Sequence, residues 1–299
     1  MTAELLTPAP AVTGGGRRSR RNLASLLPTV PFFAYVAVFL LLPTIIVVVG
    51  AFQDADGGFT LHNLTILTSE SVRSAALWSL SLSALSAISG GVIGGLLAYA
   101  LATAKISGGL RRVVVAACSV LAQFGGVMLA FAFIATIGRT GMITALIRSW
   151  FGTTIDTTWL YDFKGLVLVY SYFQIPLMVI VFLPALDGIR EQWREATETL
   201  GGTTWVYWRR VAGPILAPAF ISSLLLLFAN AFSAYATAAA LISQSNPLLA
   251  TQIRGALTNE VTADTTNTAH VLALLMVIIV SLVMTGYAVL QRRASRWLG

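Results

Sequence analysis

Charge is what this sequence has least of. Only 10% of its 299 residues are Asp, Glu, Lys or Arg, against 57% hydrophobic, whereas soluble domains carry about 25% charged residues. A water-soluble globular domain is excluded, and the chain reads as a membrane protein. Cysteine occurs once, at Cys118, so no internal disulfide can form. The two histidines, His62 and His270, are too few and too scattered for a metal cluster. The two lysines, Lys105 and Lys164, are followed by Ile106 and Gly165. The string GxxxxGK followed by Ser or Thr, whose backbone N–H groups and lysine cradle phosphates, is therefore absent. If ATP drives this protein, a separate polypeptide binds it, and no cofactor is expected on this chain.

None of the twelve acidic residues falls inside an apolar run. Ion-coupled carriers usually keep an ionisable group near the membrane midplane, where it costs ~3 kcal/mol or more. The absence argues against an ion-coupled secondary transporter, the leading alternative. Serines are plentiful but no GxSG string occurs, which argues against an intramembrane hydrolase, so the chain is not expected to be an enzyme.

What is present is apolar length. Runs at about 30–52, 74–103, 112–137, 165–186, 215–243 and 269–290 are each long enough for a helix crossing ~30 Å of hydrocarbon. The expectation is an all-α polytopic membrane protein with six transmembrane helices spanning 30–290. A disordered basic tail, 1–29, precedes them and a short tail, 291–299, follows. Pro31, Pro43 and Pro176 predict kinks. In the second run Ser79, Ser83, Ser86, Gly90 and Gly94 form a small-residue face at helical spacing. That face predicts close helix packing, with a second permease as one candidate neighbour.

Lys and Arg set the orientation. With the amino terminus inside, the inner segments hold Arg17, Arg18, Arg20, Arg21, Lys105, Arg111, Arg112, Arg190, Arg194, Arg209, Arg210, Arg292, Arg293 and Arg296. The outer segments hold only Arg73, Arg139, Arg148, Lys164 and Arg254. Both termini and the loop 187–214 are therefore expected in the cytoplasm. The net charge of +7 follows from this asymmetry and does not call for nucleic acid.

The loop 187–214 is the longest polar interval. Ile189, Trp193, Ala196 and Leu200 recur at spacings of four, three and four, which predicts one apolar stripe on a short helix. Gly201 and Gly202 stop it. Thr203 or Thr204 caps a second helix carrying Trp205, Trp208, Arg209 and Arg210, and Pro214 is expected to end that helix before the fifth span. A helix, a glycine corner and a second helix describe a rigid protein-docking knob.

Glu195, Ala196, Gly201, Val211 and Pro214 also carry a family pattern. The loop resembles the EAA motif of the permease subunits of bacterial type I ABC importers: EAA, three residues, Gly, nine residues, Ile, one residue, Leu-Pro. Val211 stands for Ile, Thr197 replaces the second Ala and Gly213 replaces Leu. Residues 137–152 resemble the outer segment between the third and fourth spans of such permeases, and 172–186 resemble their fourth span. Residues 226–241 resemble the fifth span of the spermidine and putrescine class, which also includes iron, thiamine and phosphonate importers.

The resemblance implies the type I importer permease fold, with an additional first helix wrapping a partner permease, in the bacterial inner membrane. It implies an ATP-binding subunit dimer, a second permease subunit and an extracytoplasmic solute-binding protein as partners. Glu195, Ala196, Gly201 and Pro214 would shape the coupling knob, and Trp205, Tyr207, Trp208 and Arg209 are candidates to touch the ATPase. The favoured solute class is polyamine, with phosphonate, iron, thiamine or sugar as the other options. Polar groups interrupting the spans, Gln123, Gln174, Asn230, Ser233 and Tyr235, are candidates for the translocation pathway. Each is set against a plain interhelical hydrogen bond worth about 0.6–2 kcal/mol.

Overall fold

The computed structural model describes residues 30–54, 57–103, 108–152, 156–241, 248–258 and 263–298. The basic segment 1–29 and Lys105 lie outside them. The chain divides into two compact units, Met1–Ile46 and Val47–Gly299. In the first, one helix starts at Val30 and exposes Phe32, Phe33, Tyr35 and Phe39. It runs to Gly50 and is α1, Val30–Gly50. All packing below lies within the second unit.

There, a 3-10 turn, His62–Thr68, leads into α2, Glu70–Thr103. Next come α3, Gly108–Gln123, α4, Gly126–Ile137, and α5, Met142–Phe151. The long α6, Phe163–Asp187, is followed by the short α7, Glu191–Thr199. Then come α8, Thr204–Ser233, α9, Tyr235–Leu241, α10, Leu249–Thr258, and α11, Ala263–Leu298. Among the described residues six helical stretches are long and apolar enough to cross a membrane. α11 carries the helix beyond 290, through most of the segment read as a tail.

The core is the pairing of α2 with α6. Ser79, Ser83, Ser86, Gly90 and Gly94 are all buried on α2; Gly90 and Gly94 meet the chain's own α6, and the Ser79 hydroxyl accepts from the Leu249 N–H of α10 at 3.0 Å. A Cβ on Gly90 would lie 2.4 Å from the Cβ of Gln174, and one on Gly94 would lie 2.4 Å from the Ile175 carbonyl oxygen. Lipid gives helices no hydrophobic reason to associate, so close backbone approach and dispersion contacts must supply the stability. Only glycine permits the approach seen here.

Two single helices expected from the sequence are each broken in two. The run 112–137 divides at Phe124–Gly125 into α3 and α4, and the run 215–243 divides at Ala234 into α8 and α9. Hydropathy reports burial from water and is blind to such breaks. The physical cause of the first is Gly126 at φ +73, outside the right-handed helical region.

A third difference concerns Pro214, which does not end its helix. The chain widens into a π turn, Trp208–Ala212, and runs on as α8. The same device, Ala37–Leu41, lies two residues before Pro43 in α1. Proline removes an N–H and crowds the carbonyl four residues back, and a wider turn relieves both. At Gly213 a Cβ would lie 2.4 Å from the Trp208 carbonyl oxygen, so the leucine of the family pattern does not fit this turn.

Candidate functional site

Two features assemble most of the residues singled out in the sequence. The first is the knob between α6 and α8. α7 ends in a Schellman closure: Gly202 N–H donates to Thr197 O at 2.9 Å and Gly201 N–H to Glu198 O at 3.0 Å, with Gly201 at φ +74. The Thr197 methyl presses on this corner, since a Cβ on Gly202 would lie 2.7 Å from it. The departure of Thr197 from the family's alanine is thus matched by a second glycine. Thr203 caps the next helix, its hydroxyl accepting from Val206 N–H at 3.4 Å.

The corner sorts the knob's side chains. Glu195, Ala196, Arg209 and Pro214 are exposed, and Leu200 and Trp205 project furthest, 87% and 71% exposed. Ile189 and Trp193 are half-buried, so the stripe predicted on α7 is packed only at its start. Tyr207 is buried and Trp208 half-buried. Trp208 meets Tyr99 of α2 edge-on at 5.4 Å and Tyr207 at 5.8 Å. These two rings seat the knob on the bundle, and Trp205 is the aromatic left displayed. A cavity of about 490 Å³ under the knob is lined by Tyr99, Thr103, Glu191, Arg194, Tyr207 and Trp208. Arg194 pairs with Glu198 at 3.0 Å. That hydrogen bond, and then the carboxylate charge, hold the guanidinium above its already high ordinary value.

The second feature is a cavity of about 460 Å³ at the two helix breaks. Gln123, Asn230, Ser233 and Tyr235 line it together with Gly126 and Thr237. The buried Thr237 hydroxyl accepts from Gly126 N–H at 3.0 Å and donates to the Gly126 carbonyl at 3.3 Å. The Tyr170 hydroxyl of α6 donates to the Ala234 carbonyl, so both breaks are satisfied by side chains. Irregular backbone within apolar spans is tolerated where it is paired in this way or lines a cavity. Arg254 of α10 donates to the Tyr235 hydroxyl at 2.7 Å, holding that ring from outside the cavity.

Gln174 stands apart from the other four. It is fully buried and does not line the cavity. Its Nε2 donates to the Leu227 carbonyl at 2.7 Å, tying α6 to α8 opposite Gly90, so it acts as an interhelical bond. Thr237 and Tyr170 escaped the sequence reading. A lone threonine in an alanine-rich run, beside adjacent glycines in another span, is the only signal that could have pointed to them.

α3 joins the two features. At one end Arg111 Nη2 donates to both Asp187 oxygens, at 2.7 and 2.6 Å, where α6 enters the knob. At the other end Gln123 reaches the cavity, twelve residues or about 18 Å of helix away.

A six-span helical chain with broken helices at a cavity and a capped two-helix knob defines a class. The fold is that of the membrane-spanning permease of type I ABC importers. The chain superposes on a crystal structure of a bacterial ABC transporter involved in import of the acidic polysaccharide alginate, with a TM-score of 0.71 and 18% identity, covering 92% of this chain and 96% of that one. No family model matches. Over 117 residues it is 27% identical to the molybdenum transport system permease protein ModB of Escherichia coli (strain K12), covering 39% of this chain and 49% of that one. Over 227 residues it is 26% identical to the putative ferric transport system permease protein FbpB 1 of Haemophilus influenzae, covering 72% and 33%. The chain thus spans about half the length of the first relative and a third of the second. These relatives are transport permeases, not enzymes.

Proposed function

We propose that this chain is a permease subunit of an ATP-driven importer in the bacterial inner membrane, forming half of the pathway for a small solute. One observation carries the reading. A glycine-cornered knob displays Leu200 and Trp205 to solvent at one end of the helices of the second unit, on a chain with six candidate spans and no nucleotide-binding string. An ATP-binding subunit dimer supplies the energy by docking on that knob, a second permease subunit completes the pathway, and a solute-binding protein delivers to the opposite face. The positive-inside asymmetry puts the knob and both termini in the cytoplasm. Movement of the knob passes through the Arg111–Asp187 pair along α3 to the cavity at the helix breaks.

The cavity informs the solute class. Its lining offers amides, hydroxyls and backbone groups and contains no carboxylate among the described residues. A polycation would be stabilised by carboxylates, so the spermidine and putrescine class finds no support here. An anionic or neutral solute matches the lining, and the ModB relative transports molybdenum.

Two paired variants test the docking. Glu195→Arg with Gly201→Asp, and Leu200→Glu with Trp205→Ala, are each expected to weaken co-purification of a co-expressed ATP-binding subunit at least ~10-fold, about 1.4 kcal/mol. Unchanged association and unchanged ATP-driven uptake in both would refute the proposal. Uptake by the purified chain alone under a proton or sodium gradient would establish the ion-coupled alternative instead.

A further inference from the structure

At the end of α6 away from the knob a third cavity, of about 700 Å³, opens beside α5. Arg139, Thr140, Thr144, Arg148, Ser149 and Thr157 line it. The local sequence explains the lining. On α5, Thr144 and Arg148 lie four residues apart on one face with Ser149 beside them, whereas Met142, Ile143, Leu146 and Trp150 share the opposite face. Those apolar side chains are exposed, so the helix turns its polar side to the cavity. Gly152, at φ +65, closes the helix by donating its N–H to the Arg148 carbonyl at 3.0 Å, which fixes Arg148 in the last turn.

The chemistry of the lining is one-sided. Neither Arg139 nor Arg148 forms an ion pair or side-chain hydrogen bond with a described residue, whereas Arg111, Arg194 and Arg254 are all engaged. Thr157 is only 4% exposed, and its hydroxyl has no hydrogen-bond partner among the described residues. The neighbouring carboxylate, Asp156, does not line the cavity. Its Oδ1 accepts from Thr158 N–H at 2.9 Å and from the Thr158 hydroxyl at 2.6 Å, with Arg139 adding only a weaker electrostatic pull. The Thr144 and Ser149 hydroxyls already donate to the Ile137 and Leu146 carbonyls at 3.2 and 2.9 Å, so the free donors of the lining are the two uncommitted guanidinium forks with the Thr157 hydroxyl.

We propose that this cavity is an anion-binding site, taking a tetrahedral oxyanion or a carboxylate between Arg139 and Arg148 with the Thr157 hydroxyl as a third donor. It is separate from the cavity at the helix breaks and does not depend on the importer reading. Two sources offer this chemistry: a free oxyanion, or a carboxylate side chain on a protein docking at this face.

The test uses the purified full chain in phosphatidylcholine nanodiscs and phenylglyoxal labelling of arginines, read peptide by peptide by mass spectrometry. Arg73, exposed at the start of α2, is the internal control. Sulfate at about 10 mM, compared with sodium chloride at equal ionic strength to cancel screening, is expected to slow labelling of Arg139 and Arg148 together while Arg73 is unchanged. A triglutamate peptide runs in parallel, and the probe that protects at lower concentration identifies the source. Thr157→Val should weaken the protection several-fold and Asp156→Asn should strengthen it, because the competing carboxylate is gone. Both variants leave the arginines in place, so a folding defect cannot mimic opposite effects. No protection by either probe, or equal protection at Arg73, overturns the site.

Discussion

The hydroxyl of Thr237 engages both backbone groups of Gly126, accepting from the N–H at 3.0 Å and donating to the carbonyl at 3.3 Å. Residues 111 positions apart thereby stitch two broken helices together. Thr237→Val keeps the shape and takes away the partner of the half-buried Gly126 N–H, at up to about 1–3 kcal/mol. Detergent-solubilised Thr237→Val is expected to unfold at lower temperature than the native chain, with Thr237→Ser close to native. Equal melting of all three would show that water replaces the bond.

Gly201 makes a conformational demand and no steric one, with φ +74 and no atom within 4 Å of an added Cβ. Gly201→Asn, which tolerates the left-handed region, is expected to retain ATPase association. Gly201→Val is strained by about 1–2 kcal/mol and should lose it. Co-purification of the two variants side by side decides the matter.

Arg111 and Asp187 are about 37% and 45% exposed, so their attraction is worth at most ~1 kcal/mol of stability. Its role is connection. Arg111→Asp and Asp187→Arg singly are expected to lower transport relative to ATP hydrolysis, and the double exchange should restore the ratio. A double variant no better than either single would remove α3 as the link.

Gly94 lies where an added Cβ would be 2.4 Å from the Ile175 carbonyl oxygen and 2.7 Å from the Met178 Cβ. Gly94→Leu should wedge α2 from α6 and cost several kcal/mol, roughly the scale of severe overpacking. Gly255→Ala, with open space around it, serves as the neutral control in the same thermal unfolding assay.

The Asp156 carboxyl is held below the usual carboxylate range, chiefly by the Thr158 side-chain hydrogen bond and then by the Thr158 N–H, with Arg139 adding a smaller pull against slight desolvation. A depressed value means the stabilisation is fully present above the unfolded value of about 3.9 and is lost as pH falls through the lower folded value. Thr158→Ala should move the Asp156 titration upward toward 3.9, measurable by NMR of the labelled carboxyl. An unchanged midpoint would assign the depression to the backbone N–H of residue 158, which alanine keeps, together with Arg139.

The knob was almost fully legible from residue order. Glycine at 201, a hydroxyl cap at 203 and a helical stripe from 189 each act within a few residues, and their geometry follows from backbone sterics and local hydrogen bonds. What the stripe could not reveal is that Leu200 at its end stays exposed while Tyr207 is buried beside Trp208, which packs on Tyr99 of α2. Burial depends on what stands opposite. The course of the chain past Pro214 was misread for a related reason, since a proline can be accommodated by a π turn as well as by a helix end.

By itself the sequence determined the solvent, the number of spans, the side of the membrane on which the knob is expected and the family resemblance, because hydropathy, charge asymmetry and motif spacing are summed along the chain. Only the tertiary structure decided that Gly90 and Gly94 of the small-residue face of α2 meet α6, that the third and fifth apolar runs are broken, and that Gln123, Asn230, Ser233 and Tyr235 share one cavity while Gln174 does not. Each of these rests on contacts between residues far apart in the chain. A break costs unpaired backbone groups unless a distant hydroxyl such as Thr237 answers them, and that pairing exists only once the helices are packed.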